Sequence, residues 1–370
     1  MTVLNMKGRL SRTSIRMLLV VAALLVLGLV MVYSASYGYA FSDASNHKDD
    51  TAYFFRRQLV AALLGVVLLV ALSFVDYRVY RKYAVYMLTA TFAIIAPTAI
   101  LGRWLFGSWG QLAELGRLLA IIYLATWLAG KGKEIRNLKL GFLPFGLLVG
   151  AITGLIVLQP DLSTAALIFV TAMAMVFVAG ADIRQIIPTI LIVVPLVVGL
   201  AILLRHGDRI QLWLDSIFRG VANQDTQVAQ CLAAINRGGL LGVGLGQSQL
   251  KYVIYAAHSD GIFAIIGEEL GFLGASVVIA LYSLWTWWGL RVAREARDTL
   301  GRLLAIGLTM WVTLGALLHI AAGLNALPFN GSVLPFISSG GSSLVTTLAS
   351  VGIMVNITRA ENEPAGERPE

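Results

Sequence analysis

The sequence predicts an all-α polytopic membrane protein of about ten transmembrane helices, with one large extracytoplasmic loop between the seventh and eighth. Three observations carry that prediction. Hydrophobic residues make up 58% of the 370 residues and charged ones 13%, with a mean hydropathy of +0.80, a composition outside the range of soluble folds. Apolar runs of about 20 residues, the length that crosses a hydrocarbon core of roughly 30 Å, recur along the whole chain. Lys and Arg concentrate on alternate connections, as orientation signals do.

The runs fall at 14–35, 58–75, 84–101, 113–129, 140–158, 162–180, 186–204, 262–288, 302–325 and 343–358. The fourth is the weakest, because it contains Glu114 and Arg117. Charge supports keeping it. With the N-terminus cytoplasmic, the inside segments hold Lys7, Arg9, Arg12 and Arg16, then Arg78, Arg81 and Lys82, then Lys131, Lys133, Arg136 and Lys139, and later Arg291, Arg294, Arg297 and Arg302. The short outside segments hold Lys48, Arg56 and Arg57, and then Arg103. This bias predicts ten spans with both termini cytoplasmic. The net charge of +8 then reflects orientation signals and contact with anionic membrane lipids; no basic, aromatic-interleaved soluble segment exists for a nucleic acid to bind.

The first run follows a basic start, and "YSASYGYA" offers small residues where a signal peptidase cuts, but nine further runs favour a retained signal anchor. The single Cys231 excludes an intramolecular disulfide and a multi-cysteine metal site, and reads as a small buried apolar residue. The loop, 205–261, contains "TQVAQCLAAI", with Val228, Cys231, Leu232 and Ile235 at i, i+3, i+4 and i+7. That spacing predicts a short helix on the membrane surface or packed on the bundle. The next stretch, "NRGGLLGVGLGQSQLK", lacks the preceding strand of a dinucleotide fingerprint. It reads as a flexible or re-entrant turn, acceptable at membrane depth where protein or water satisfies its backbone, in preference to a phosphate-binding loop. The tail from residue 359, "RAENEPAGERPE", has a disordered composition.

"HSDGIFAIIGEELGFLGA", His258 to Ala275, raises the question of function. Asp260 falls at the outer mouth of the eighth run, and Glu268 and Glu269 lie about 12–14 Å deeper at 1.5 Å per residue. Acids at membrane depth cost about 2.5–3.5 kcal/mol on insertion scales, so the glutamates require partners or protons, and hydrogen bonding between helices is their simplest role. Asp260 has two readings, an interfacial helix N-cap or a general base beside His258, and residue chemistry alone leaves both open. His206 and His319 stand in no metal-ligand cluster and read as solvated or core residues.

Several motifs occur in a recognisable order: "RW" at Arg103 and Trp104, "QLAELGRLLAIIYLA", "QPDLSTA", "DTQVAQCLAAINRGGLLGVGLGQS", "HSDGIFAIIGEELGFLG" and "LPFNGSVLPFISSGGSSL". Together they resemble the SEDS proteins (shape, elongation, division and sporulation), the RodA, FtsW and SpoVE group, over nearly the whole chain. The resemblance implies a single SEDS-type membrane domain over 1–358. It also implies a glycosyltransferase that polymerises lipid II outside the plasma membrane, paired with a class B penicillin-binding transpeptidase.

The family's catalytic aspartate matches Asp260, which would take the proton of an attacking sugar hydroxyl. A polyprenyl pyrophosphate leaving group calls for cations, and the expected contributors are Arg103, Arg117, Arg209, Arg237 and Lys251, with His258. Glu114, Gln159, Asp161, Gln227, Glu268, Glu269, Ser338, Gly340 and Ser342 complete the motifs as supporting residues. Arg117 also reads simply as an i, i+3 partner of Glu114. A divalent cation, Mg or Mn, could join pyrophosphate to Asp260, although no dedicated ligand cluster is visible.

The chain departs from the family pattern in several places, among them a short segment after "RW". "YAAHSD" puts Ala256 where a second acid is usual, Leu112 and Ala113 replace Pro-Ser, and Arg117 replaces Lys. A lipid II flippase, or a non-catalytic scaffold for the transpeptidase, are the alternative functions compatible with a polar, glycine-broken membrane bundle.

Overall fold

The computed structural model describes residues 10–41, 52–100, 110–159, 161–201, 211, 213–215, 218, 226–329 and 331–361. Among them the architecture is all-helical, with no β-strand. In chain order the helices are α1 (Arg12–Phe41), α2 (Tyr53–Phe74), α3 (Ala84–Ile100), α4 (Gly110–Lys131), α5 (Leu143–Leu158), α6 (Leu162–Val178) and α7 (Ile183–Ala201). They are followed by the short α8 (Gln227–Gly238), then α9 (Ile262–Glu295), α10 (Thr299–Gly323) and α11 (Gly341–Glu361).

Among the described residues, seven segments are long and apolar enough to cross a membrane: Arg12–Tyr37, Tyr53–Phe74, Ala113–Arg136, Leu138–Leu158, Ile262–Glu295, Thr299–Gly323 and Gly341–Ala360. Ala84–Pro97, Leu162–Val178 and Ile183–Leu196 are apolar but shorter. Length therefore supports seven spans directly, not the ten expected. Two of the short helices contain proline, Pro97 in α3 and Pro188 and Pro195 in α7, which removes a ladder hydrogen bond and requires neighbours to satisfy the freed carbonyl. The fourth run, expected to be the weakest, belongs to a segment of full length, and its charges are paired as described below.

Lipid supplies no hydrophobic drive for helices to associate, so close packing and polar bonds between helices must hold the bundle. α10 lies at its centre, against α4, α6, α9 and α11, with Leu303, Leu304, Leu308 and Val312 at most 1% exposed. Thr286 of α9 and Thr313 of α10 share a hydroxyl bond of 2.8 Å, and Ser14 of α1 bonds Thr358 of α11. Asn356 of α11 accepts from the Tyr77 amide at 2.9 Å and donates to the Ser73 carbonyl at 3.1 Å, which clamps the end of α2. α11 continues to Glu361, past the expected boundary at 358; residues 362–370 of the expected tail lie outside the described residues.

α8 forms where the apolar spacing placed it. Thr226 caps it by accepting from the Ala229 amide at 3.3 Å, as N-cap threonines do. It packs against α9 with Cys231 and Ala234 fully buried, so it belongs to the bundle and not to the membrane surface. Burial also pushes the Cys231 thiol up to about 12, which leaves it an inert core residue.

α9 departs from expectation. At 34 residues it reads as one helix, but Gly271 sits at φ 69°, ψ −167° and breaks it. The glycine-rich stretch fills the break. The amides of Val243 and Gly244 donate to the carbonyls of Glu268 and Glu269 at 3.0 Å each, and the amides of Phe272 and Leu273 donate to Gly239 and Leu240 at 2.9 and 3.2 Å. Backbone groups orphaned by the break thus find partners in the loop, the condition for irregular backbone at membrane depth. Only glycine permits this approach: a Cβ on Gly271 would land on the Gly242 amide, and one on Gly242 on the Glu269 carbonyl. The re-entrant reading of this stretch therefore matches its packing, with the amides of Val243 and Gly244 spent on α9.

Candidate active site

The expected site residues fall into three clusters, each held by its own bonds. The first surrounds Asp260. The amides of Ser259 and Asp260 donate to the Ala256 carbonyl at 2.9 Å each, closing a tight turn in which Ala256 adopts φ 49°. α9 starts immediately afterwards, but its N-cap is Gly261 and no side chain caps it. The Asp260 carboxylate is thus free of the capping role that was one of its two readings. Its Oδ1 accepts instead from the Ser259 hydroxyl at 2.7 Å.

A second chain segment, 331–340, closes around this turn. Ser338 Oγ donates to the Ser259 carbonyl at 2.8 Å and accepts from the Leu334 amide at 2.8 Å, and the Ser339 amide donates to the His258 carbonyl at 2.9 Å. That segment is pinned from three helices. Gln58 of α2 donates to the Ser338 carbonyl at 3.0 Å and accepts from the Gly340 amide at 3.2 Å. Tyr282 of α9 bonds the Pro335 carbonyl, and His319 Nδ1 of α10 lies 2.6 Å from the Ser332 carbonyl oxygen. Phe336 is held at φ 67° with its ring 5.6 Å from that of Trp285. A left-handed conformation in a bulky residue persists only where its surroundings over-determine it.

Gly331, at φ 63°, approaches the acid so closely that a Cβ there would stand 3.2 Å from Asp260 Oδ2. Gly331→Ala is expected to strain the backbone and crowd the carboxylate, lowering turnover about tenfold or more with little change in overall melting temperature, since about 1–2 kcal/mol attaches to a left-handed alanine. Turnover and thermal melting measured on the same preparation check this; wild-type turnover would contradict it.

Asp260 is partly exposed. Burial pushes its carboxyl above the ordinary aspartate range, and the Ser259 hydroxyl partly opposes that rise by stabilising the anion. His258 is 7% exposed, packs against Phe54 in a tilted arrangement with ring centroids 4.3 Å apart, and is pushed down to about 4 by burial. Burial thus favours its neutral form. Gln227 donates to the Tyr255 carbonyl at 2.7 Å, bracing the turn from α8, and the Ser342 carbonyl accepts from Thr346 within α11 at 2.9 Å.

The second cluster is the acid pair. Glu268 and Glu269 are 0% and 1% exposed. Glu268 accepts from Ser248 Oγ at 2.5 Å and the Gln249 amide at 3.1 Å, with Arg237 Nε at 3.7 Å. Glu269 accepts from Ser34 Oγ at 2.6 and 2.7 Å, with Lys251 Nζ at 3.6 Å. Lys251 was expected to face the pyrophosphate; its side chain is 2% exposed and its ammonium donates to the Gly246 carbonyl at 2.7 Å, so it serves as an internal counter-ion. Arg237 keeps a 38% exposed side chain while donating to Gln249 Oε1 at 2.5 Å. Ser34 comes from the stretch whose small residues suggested a cleavage site, and there it closes a polar contact between α1 and α9.

In the third cluster, Arg117 donates to Glu114 at 2.5 Å and to Asp161 at 2.8 Å. Asp161 also caps α6 through the Thr164 amide at 3.1 Å, and Gln159 donates to the Ile95 carbonyl at 2.7 Å. One guanidinium between two carboxylates leaves no surplus positive charge, and the expected i, i+3 pairing is present. Arg103 and Arg209 lie outside the described residues. Among the described residues no group of three or more His, Cys, Asp or Glu gathers to hold a metal ion. The sequence reading missed Gln58, Ser34, Phe54 and Ser248. Gln58, 2% exposed, carried a usable signal as a glutamine inside an apolar run; the others did not.

Comparison with known proteins places this geometry. The FTSW_RODA_SPOVE model, described as cell cycle protein, matches residues 15–363. A probable peptidoglycan glycosyltransferase FtsW from Trichlorobacter lovleyi is 34% identical over 96% of this chain and 96% of its own. Stage V sporulation protein E of Bacillus subtilis is 34% identical over 94% of this chain and 98% of its own. Among solved structures, the rod shape determining protein RodA of Thermus thermophilus is similar at 25% identity and a TM-score of 0.66, over 94% of this chain and 97% of that one. A chain from a structure titled as a peptidoglycan synthase complex coordinating polymerization and crosslinking shares the fold at a TM-score of 0.71 and 24% identity, over 94% and 98%. Fold, motifs and relatives agree: the chain belongs to the FtsW/RodA/SpoVE family of multi-pass membrane proteins.

Proposed function

We propose that this chain, a peptidoglycan glycosyltransferase by family, polymerises lipid II at the outer face of the plasma membrane with Asp260 as general base. In this reading the acceptor sugar's 4-hydroxyl attacks the anomeric carbon of a lipid-linked donor. Its proton passes to Asp260, and undecaprenyl pyrophosphate leaves with the electron pair of the broken glycosidic bond. The observation that carries this is the Asp260 carboxylate itself. It is partly exposed and makes no capping bond. The turn 256–260 and the segment 331–340 hold it in place, and burial raises its proton affinity toward the range useful to a base. Of the expected cations, Arg237 retains exposed surface for the leaving group; Arg103 and Arg209 stay part of the proposal.

A divalent ion, Mg or Mn, suits a donor set of one carboxylate plus substrate phosphates. Asp260 would hold it, and it would supply charge neutralisation at the leaving group. Ala256 stands one turn before Asp260, so Ala256→Glu is expected to raise turnover when Mg or Mn is added. Identical turnover of this variant and the wild type, with and without either ion, would place residue 256 outside the site. The reading also includes cytoplasmic termini and a class B penicillin-binding transpeptidase as partner.

Purified protein incubated with lipid II in detergent tests the function. Glycan polymer formed without a bilayer supports polymerisation, since a flippase has nothing to move there and a scaffold has no product. Intact lipid II after prolonged incubation, alone and with the transpeptidase present, would overturn it.

A further inference from the structure

The end of α9 remote from Asp260 carries "WWGLRVARE", Trp287 to Glu295, and the function above uses none of it. Trp287, Leu290, Arg291, Arg294 and Glu295 line a cavity of about 320 Å³. Beside it the Trp288 ring has two cations against it, with Arg16 of α1 at 5.0 Å and Arg291 at 5.7 Å from the ring centroid. Such stacks fix guanidinium planes and keep them desolvated on one face.

Charge at this end is unbalanced. Glu295 is the carboxylate of the cavity, and it is already engaged, accepting from Arg291 Nε at 2.6 Å and from Thr13 Oγ1 at 3.0 Å. Arg294 is exposed, and among the described residues no carboxylate pairs with it. Two guanidinium groups therefore line the cavity against one carboxylate, with Arg16 beside it. Trp287, 63% exposed, is the type of side chain that settles at headgroup depth, with its ring toward the acyl region. The cavity thus combines a surplus cation with an apolar wall from Trp287 and Leu290.

We propose that this cavity binds the headgroup phosphate of an anionic phospholipid from the leaflet at that end of the bundle. Arg294 engages the phosphate oxygens as a fork of donors, while Trp287 and Leu290 contact the glycerol and upper acyl chain. A free phosphate would use the guanidinium but not the apolar wall, so a lipid fits both halves of the cavity. Clusters of Arg at the membrane interface are recognised by anionic lipids in this way.

The test uses full-length protein in a neutral detergent, titrated separately with phosphatidylglycerol, phosphatidylcholine and inorganic phosphate. Thermal melting and lipid retention by native mass spectrometry are the readouts. Phosphatidylglycerol should raise the melting temperature and remain bound, with the other two ineffective. Arg294→Gln should weaken phosphatidylglycerol binding about fivefold, the equivalent of ~1 kcal/mol for one interfacial cation, while Arg294→Lys, which keeps the charge but loses the fork, falls between wild type and Arg294→Gln. Arg294 is exposed, so both variants should fold. Three results would each overturn the proposal: equal retention by wild type and Arg294→Gln, an equal response to phosphatidylcholine, or a melting shift reproduced by inorganic phosphate alone.

Discussion

Asp260→Asn is expected to reduce lipid II polymerisation by at least a hundredfold, with the melting temperature in detergent little changed. General acid–base groups contribute typically 10²–10⁴-fold, and asparagine keeps an acceptor for the Ser259 hydroxyl while removing the basic oxygen. The bonds that shape the turn, from the amides of Ser259 and Asp260 to Ala256 and from Ser338 to Ser259, run through backbone carbonyls and survive the change. A variant polymerising near the wild-type rate would remove Asp260 from the mechanism.

The second large effect concerns the buried acid pair. Glu269→Leu strips Ser34 of its acceptor and leaves the Lys251 ammonium, 2% exposed, facing no carboxylate at 3.6 Å. Removing one partner of a buried pair costs about 3–5 kcal/mol. Glu268→Gln should be mild by comparison, because Arg237 reaches solvent and the amide can still meet Ser248 and Gln249. Adding Lys251→Met to Glu269→Leu should recover part of the loss, because the uncompensated charge is then gone. Thermal melting of the three variants in detergent decides this. Equal melting of Glu269→Leu and Glu268→Gln would show that the ion pair contributes nothing.

These two predictions also mark where the sequence was readable and where it was not. Asp260 could be placed because its position follows from local pattern: an apolar run starts just after it. α8 could be placed for the same reason, since its spacing of Val228, Cys231, Leu232 and Ile235 is a local property. The break at Gly271 could not, because "EELGFLG" reads as uninterrupted apolar helix and its cause is the approach of Gly242 from 29 residues upstream. The burial of Lys251 was hidden for a related reason. A lysine in an outside loop looks solvated until the loop re-enters the bundle and delivers it to Glu269.

Arg117 shows the same limit on a smaller scale. Its bond to Glu114 is an i, i+3 contact visible in the sequence, whereas its bond to Asp161 depends on α4 and α6 lying side by side. Length leaves three of the ten expected spans unconfirmed: α3, α6 and α7 are apolar enough to be recognised as membrane helices but too short to establish a crossing on length alone. Gln58 shows what a stricter reading could use, namely that a lone polar residue within an apolar run has a partner to find.

The most direct measurement of the central claim, that Asp260 carries the proton, is the pH dependence of lipid II turnover in the wild type and Ser259→Ala. A base must be ionised to act, so turnover falls as pH drops through its pKa, and burial places that acid limb above the ordinary aspartate range. The Ser259 hydroxyl stabilises the anion and holds the limb down. Removing it should therefore move the limb to higher pH while leaving the alkaline plateau within a few-fold of wild type. An acid limb at the same pH in both proteins, with the plateau intact, would mean that another group accepts the proton.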